Sequence, residues 1–142
     1  MSDDRLLALI AADEIAYWRT LGITVESAEV GKVRLRLAMR DALGTRRPDV
    51  MHGGAIASLI DAAAGAATST LRPADDETWS GQATTDLNAT FLNAATGDVI
   101  AEGRVLRSSR AFSFVSVEVR DAADAERLIA VGRATYTIIR QR

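Results

Sequence analysis

A chain of 142 residues with 48% hydrophobic and 25% charged residues has the size and composition of one globular domain, which excludes a disordered or fibrous protein. Its 17 basic and 19 acidic residues give a net charge of -2, which argues against a duplex-binding surface, because such a surface must neutralise many phosphates. The absence of cysteine excludes disulfides and thiolate chemistry, and a single histidine argues against a zinc site. We therefore expect residues 1–142 to form a single domain that binds no metal and no nucleic acid.

The N-terminal sequence supports two predictions, a cytoplasmic location and a first helix. Acidic residues open the chain, and it lacks the basic region, apolar run and cleavage site of a secretory signal. Ser2 is placed to cap a first helix that Gly22 ends. Apolar residues recur along this helix at helical spacing: Leu6, Leu7, Ile10, Ile15 and Trp18.

From Ile23 the hydrophobic period changes to that of a strand. Apolar residues alternate with three cations in residues 32–39, which is the pattern of a half-buried strand. The following residues, 40–51, show no sustained period and contain Gly44 and Pro48, which predicts a long loop.

A long apolar helix is predicted over residues 52–71. It opens with His52-Gly53-Gly54, ends before Pro73 and is rich in alanine. Its length is close to that of a membrane span, but Asp61 at its centre favours a buried helix in a protein without a membrane segment. Because the helix is apolar nearly all round, it must be covered on most sides, and its small residues allow a sheet to come close.

Four strand-like runs follow, at residues 82–92, 99–106, 112–119 and 128–139. The short connections between them predict an antiparallel meander. Two apolar residues adjoin at Phe114 and Val115, so a β-bulge is expected there. The element order predicts an α+β fold, in which a curved antiparallel sheet wraps around one long central helix and an N-terminal helix packs on its edge.

The segment from His52-Gly53-Gly54 to Asp61, followed by small residues, resembles the helix-opening motif of the hotdog-fold acyl-CoA thioesterases, in the phenylacetyl-CoA and 4-hydroxybenzoyl-CoA thioesterase branch. Residues 84–88 add a second local similarity, and the element order agrees over residues 21–139. The resemblance implies a hotdog fold, an acyl-CoA substrate, no cofactor, and subunits that pair edge to edge as homodimers and often as homotetramers. It also implies active sites at the dimer interface.

Asp61 is the only charged residue between Gly53 and Leu71. Burial of an unpaired carboxylate is costly, which favours a functional role, although a hydrogen bond to a polar neighbour would also account for it. The resemblance implies that this carboxylate either attacks the thioester carbonyl or activates water for the attack. The sequence does not separate these two routes.

The helix start is the second candidate for catalysis. Gly53 and Gly54 lie where backbone N–H groups lack intrahelical partners and where the helix dipole is positive. The resemblance implies that the N–H of Gly53 stabilises an oxyanion, whereas two glycines also suit a tight turn. His52 either assists this oxyanion site or only caps the helix.

Three further residues are candidates by resemblance. Thr84, expected on the same strand face as Asp86 and Asn88, would position water, or is present for strand propensity alone. Arg107 and Arg110 flank a turn where the nucleotide end of CoA would bind, or form a solvated basic turn. The chain departs from the family at two loop positions, which many relatives fill with Asn and Gly and which here hold Arg46 and Asp49.

The spacing of His52 and Asp61 has its own consequence. Nine residues of helix turn the second side chain by roughly 180° and shift it by ~13 Å. One chain cannot place both in one small pocket. If both act in catalysis, the site takes His52 and Gly53 from one subunit and Asp61 from another, which predicts an obligate homodimer.

Two other functions compete with hydrolysis. A non-catalytic acyl-CoA-binding module would gain nothing from a desolvated carboxylate near the thioester. A hotdog dehydratase needs a closely spaced Asp and His, and the one histidine belongs to the helix-opening motif.

Overall fold

A computed structural model of the chain describes residues 3–11 and 15–141. Its elements, in chain order, are α1 (Asp4–Leu9), α2 (Ala16–Leu21), β1 (Ile23–Glu29), β2 (Lys32–Leu37), a short 3-10 turn (Asp41–Leu43), α3 (Gly53–Ser69), β3 (Trp79–Phe91), β4 (Val99–Ser108), β5 (Phe112–Asp121) and β6 (Leu128–Arg140). The strands form one antiparallel sheet in the order β1-β2-β4-β5-β6-β3. β3 is therefore an edge strand.

The described residues of the N-terminal region, 3–11 and 15–22, contain two short helices where one was predicted. The carboxylate of Asp3 caps α1 by accepting hydrogen bonds from the backbone N–H groups of Arg5 and Leu6. The predicted cap, Ser2, lies outside the described residues. Gly22 ends α2 in the left-handed conformation, as its position in the sequence suggested.

A hairpin precedes the long loop, whereas the sequence predicted one strand. β1 and β2 pair through a turn at Val30-Gly31, and Gly31 has a φ of 81° that glycine adopts without strain. β1 was missed because its register shifts between Val25 and Ser27, which breaks the alternation of apolar and polar residues that identifies a strand.

The predicted meander holds for β4, β5 and β6 but is wrong for β3. β3 pairs with β6 at the edge of the sheet and has no pairing with β4. The connection 92–98 can cross two intervening strands because each inter-strand spacing is only about 4.8 Å. A short connection alone therefore does not make two strands neighbours.

The predicted bulge lies on the neighbouring strand. β5 alternates without interruption, with Ser113 and Val115 buried and Phe112 and Phe114 exposed. The unpaired residue is Leu106 of β4, between the pairs Val105–Val115 and Arg107–Phe114. The adjoining apolar residues of β5 face opposite sides of the sheet.

α3 packs on one face of the sheet and contacts β2 through β6. Glycines of the strands bring the two layers together: a Cβ atom on Gly103 would lie 2.7 Å from the carbonyl oxygen of Ala63 in α3. The hotdog fold, a curved antiparallel sheet wrapped around one long helix, is thus confirmed. Across the part of the chain that the structure describes, no helix is long and apolar enough to cross a membrane.

Candidate functional site

The carboxylate of Asp61 lies near the middle of α3, between two hydroxyl groups. Its Oδ1 atom accepts hydrogen bonds from Thr84 Oγ1 and from the Tyr136 hydroxyl, both at 2.7 Å. Its Oδ2 atom accepts no hydrogen bond from residues 3–11 or 15–141. The polar neighbours that a purely structural aspartate would need are present, but they leave one carboxylate oxygen free for chemistry.

Thr84 reaches Asp61 because of a bulge in β3. The pairing with β6 shifts between Thr84 and Asp86, so that Thr84 lies opposite Tyr136 and Leu87 lies opposite Ala134, both on the helix side of the sheet. The prediction that Thr84 shares a face with Asp86 and Asn88 is wrong, because simple alternation omits the extra residue. Bulges commonly re-aim a side chain in this way beside an active site.

Tyr136 was not identified from the sequence. It lies in β6 on the helix side of the sheet, between the apolar residues Ala134 and Ile138, and is 7% exposed. Burial, and to a lesser extent the neighbouring Asp61, raise the pKa of the Tyr136 hydroxyl well above its usual value, so that it remains a hydrogen-bond donor. The available signal was one hydroxyl on an otherwise apolar strand face.

Asp61 lines a cavity between α3, β3, β6 and the N-terminal helix α2, which we term the Asp61 cavity. Tyr17 of α2 reaches across it, and its hydroxyl lies 2.8 Å from Ser58 Oγ on α3. Gln82 of β3 donates hydrogen bonds to the Gly65 carbonyl at 2.7 Å and to Ser69 Oγ at 3.0 Å. The volume of this cavity is about 190 Å³, below the roughly 300–1,000 Å³ that is usual for small-molecule sites.

At the start of α3, the backbone N–H groups of Gly53 and Gly54 differ in whether they have a hydrogen-bond acceptor. His52 caps α3, because its Nδ1 atom accepts the N–H of Gly54 at 2.8 Å. The N–H of Gly53 has no acceptor among the described residues. Of the two glycine N–H groups, only that of Gly53 is therefore available to a ligand.

Gly53 lines a different cavity from Asp61. This Gly53 cavity lies at the N-terminal end of α3, where Gly53 faces the ring of Phe91 at the end of β3. Met51, Ile56 and Leu92 also line it. The two candidate catalytic groups therefore occupy separate cavities of one chain, as their spacing along the helix suggested.

Arg107 and Arg110 lie at the β4–β5 turn and line neither cavity. Both are exposed, and within the described part of the chain neither guanidinium group forms an ion pair. In the loop before α3, Arg46 and Asp49 are exposed, and the structure gives no hydrogen bond from either residue to Asp61.

Comparisons with known proteins agree with this architecture. The sequence model of the Thioesterase superfamily matches residues 49–127. A protein of Halobacterium salinarum, which bears the name "putative esterase", is 36% identical over 126 residues, 84% of this chain and 82% of that protein. The solved structure of zebra fish thioesterase superfamily member 2 is 28% identical and superposes with a TM-score of 0.75 over 95% of this chain and 94% of its own. The structure of the E. coli PaaI protein from the phenylacetic acid degradation operon has a TM-score of 0.82 over 98% and 96% of the two chains, but its 16% identity shows a likeness of fold alone.

Proposed function

Because this chain belongs to the thioesterase superfamily, we propose that it is a hydrolase that cleaves the thioester of an acyl-CoA into free CoA and a carboxylic acid. The observation that carries the proposal is the carboxylate of Asp61, the one charged side chain of α3, held by two hydroxyl groups through Oδ1 with Oδ2 left free. A helix that served only for packing would have no use for this group.

The free oxygen of Asp61 supports two routes. In the first, the carboxylate takes a proton from water, the hydroxide adds to the thioester carbon, and the carbon–sulfur bond breaks. The sulfur then takes the proton from Asp61, which restores the carboxylate. In the second, the carboxylate itself displaces the thiolate and forms an acyl anhydride, which water then hydrolyses to the free acid.

Both routes develop negative charge on the thioester oxygen. The free N–H of Gly53, at the positive end of α3, is the donor that we assign to this oxyanion. Gly54 and His52 support it indirectly, since their mutual hydrogen bond fixes the first turn of the helix. Gly54 would then lie beside the substrate without donating to it.

We propose that each active site is shared between two copies of the chain. Asp61 and Gly53 line different cavities, and the Asp61 cavity alone is smaller than usual ligand sites. The edge strand β3 also lacks a partner on one side and exposes Leu87 and Phe91, with 40% and 50% of their surface accessible. An exposed apolar edge of this kind is a template for a second strand.

The faces of β3 suggest one register for this pairing. Directly opposed residues of antiparallel strands lie on the same face of the sheet. A two-fold axis perpendicular to the sheet must therefore pass between one residue and the same residue of the partner. If the axis passes at Asn88, Leu87 opposes the partner's Ala89 and, across the bulge, Thr84 opposes the partner's Phe91. Since Thr84 bonds Asp61 and Phe91 faces Gly53, this register brings Asp61 of one chain toward Gly53 of the other.

Arg107 and Arg110 remain our candidates for the nucleotide end of CoA, because both guanidinium groups are exposed and suit phosphate binding. The association of two dimers into a tetramer, and the cytoplasmic location, stay predictions from the resemblance and from the N-terminal sequence.

The direct test is thiol release from short, medium, long and aromatic acyl-CoAs by the wild type and by Asp61→Asn. We expect the variant to lose about 10²–10⁴-fold in kcat, which is the range for loss of a general base. Glu118→Gln, which removes an exposed acid on the outer face of β5, is the control and should retain the wild-type rate. Tight ligand binding without turnover of any thioester by the wild type would instead identify a non-catalytic acyl-CoA-binding module.

A further inference from the structure

The phenol ring of Tyr136 packs against α3 at Gly65, the one residue of that helical turn without a side chain. A Cβ atom on Gly65 would lie 2.7 Å from the Tyr136 hydroxyl oxygen and 3.0 Å from the ring carbon that bears it. Glycine in the middle of a helix is unfavourable compared with alanine, and the neighbours Ala62, Ala63, Ala64, Ala66 and Ala67 are all alanines. The space for the phenol thus explains why glycine occupies this position.

The hydroxyl that fills this space bonds the candidate catalytic aspartate at two atoms. It lies 2.7 Å from Asp61 Oδ1 and 2.9 Å from the backbone carbonyl oxygen of the same residue. Together with Thr84, it places two donors on one carboxylate oxygen. An aspartate side chain on a helix can otherwise rotate, so these two donors determine which oxygen stays free.

We propose that Tyr136 is a positioning residue of the active site, which, seated against Gly65, holds the carboxylate of Asp61 so that Oδ2 is the oxygen that reacts. This inference rests on the hydrolysis proposed above. Tyr136 supplies no proton to the substrate and acts only through Asp61. Its raised pKa keeps the hydroxyl protonated across the working range, as a fixed donor requires.

Within one chain, few other titratable groups lie beside Asp61. From α3, β3, β6 and α2, the titratable side chains that line the Asp61 cavity are Asp61 itself, Tyr136 and Tyr17, and the lining contains no cation. Tyr17 bonds Ser58 and makes no hydrogen bond to Asp61. Within one chain, the Tyr136 hydroxyl and Thr84 are therefore the groups that orient this carboxylate.

The test is Tyr136→Phe, which removes the hydroxyl and keeps the ring. We expect kcat to fall by about tenfold or more with KM nearly unchanged, because a hydrogen bond to a charged group is lost. A retained kcat would overturn the proposal, as would a loss of activity that lies in KM alone.

Gly65→Ala tests the same hydroxyl from the helix side, because its methyl group displaces the phenol from Asp61. In the wild-type background it should reproduce the kinetic effect of Tyr136→Phe, whereas added to Tyr136→Phe it should cost little more. Fully additive losses would contradict the proposal. Thr137→Val, on the outer face of the same strand, is the matched control and should leave both kcat and KM unchanged.

A measurement without substrate separates this inference from the proposed function. A crystal structure of Tyr136→Phe without substrate should show the Asp61 carboxylate rotated away from its wild-type position, with melting temperature recorded to verify folding. If the wild type cleaves no thioester, the proposed function fails whatever that structure shows. If the wild type is active and the carboxylate keeps its position in the variant, only the positioning role fails.

Discussion

Individual residues at the start of α3 divide the work that the sequence motif suggested for all of them. His52 and Gly54 bond each other and close the first turn, and the Gly53 N–H is left free. The motif predicted Asp61 and the two glycines as candidates, because unusual residue types in an apolar helix are visible in the sequence. It could not predict Tyr136, because a tyrosine in a strand carries no sign of its partner 75 residues away.

Gly53→Pro tests the proposed oxyanion donor, because proline lacks the backbone N–H group. Gly53 is the first helical residue, a position that proline favours, and the preceding His52 already has the extended conformation that proline requires. The variant should fold normally and lose about 10²–10³-fold in kcat, the usual effect of one oxyanion donor. Gly53→Ala keeps the N–H and is the control, so equal losses in both variants would point to a steric effect instead.

Among the elements, the strands show most clearly where the structure differs from the hydrophobic pattern of the sequence. β2, β4, β5, β6 and α3 were predicted because their hydrophobic period is regular. β1 and the face of Thr84 were not, because each depends on a bulge that adds one residue to the count. The order of the strands also lay beyond the sequence, since β3 joins the sheet through contacts with β6, far along the chain.

Asp98, directly before β4, links that strand to Arg36 of β2 and to Met39 just after β2. Its ionisation therefore makes the free energy of unfolding depend on pH. The N–H of Met39, and secondly the guanidinium of Arg36, lower the pKa of Asp98 below its ordinary value of 3.8. The stabilisation is therefore fully present above about pH 4 and is lost as the pH falls through the lowered value. Asp98→Asn should reduce stability by about 1 kcal/mol at pH 7, since the pair is partly exposed.

Thermal unfolding of both proteins between pH 7 and pH 2 checks this prediction. The difference in Tm should shrink as the pH falls below about 4. A constant difference over the whole range would show that the charge of Asp98 is not involved. Glu118→Gln, which alters an exposed ion pair with Arg120, is the control and should change Tm little.

For the whole molecule, our proposal is that a second copy, paired along the edge strand β3, completes the candidate site. The register centred on Asn88 is testable because the chain contains no cysteine, so any disulfide must come from an introduced pair. Opposed residues in antiparallel strands lie about 4.5–5.5 Å apart at Cα, which a disulfide can span. Asn88→Cys should therefore form a cross-linked dimer on oxidation, and Leu87→Cys should not, because it opposes the partner's Ala89. Efficient cross-linking of Leu87→Cys alone would place the axis elsewhere.

The central claim, that each site joins Gly53 of one chain to Asp61 of the other, is tested most directly by mixed dimers. Gly53→Pro and Asp61→Asn are each expected to be inactive as homodimers. After unfolding and refolding of an equal mixture, half of the dimers are mixed and carry one intact site each, which predicts about a quarter of the wild-type thiol-release rate on the best acyl-CoA substrate. A mixture no more active than its two components measured separately would contradict the shared site.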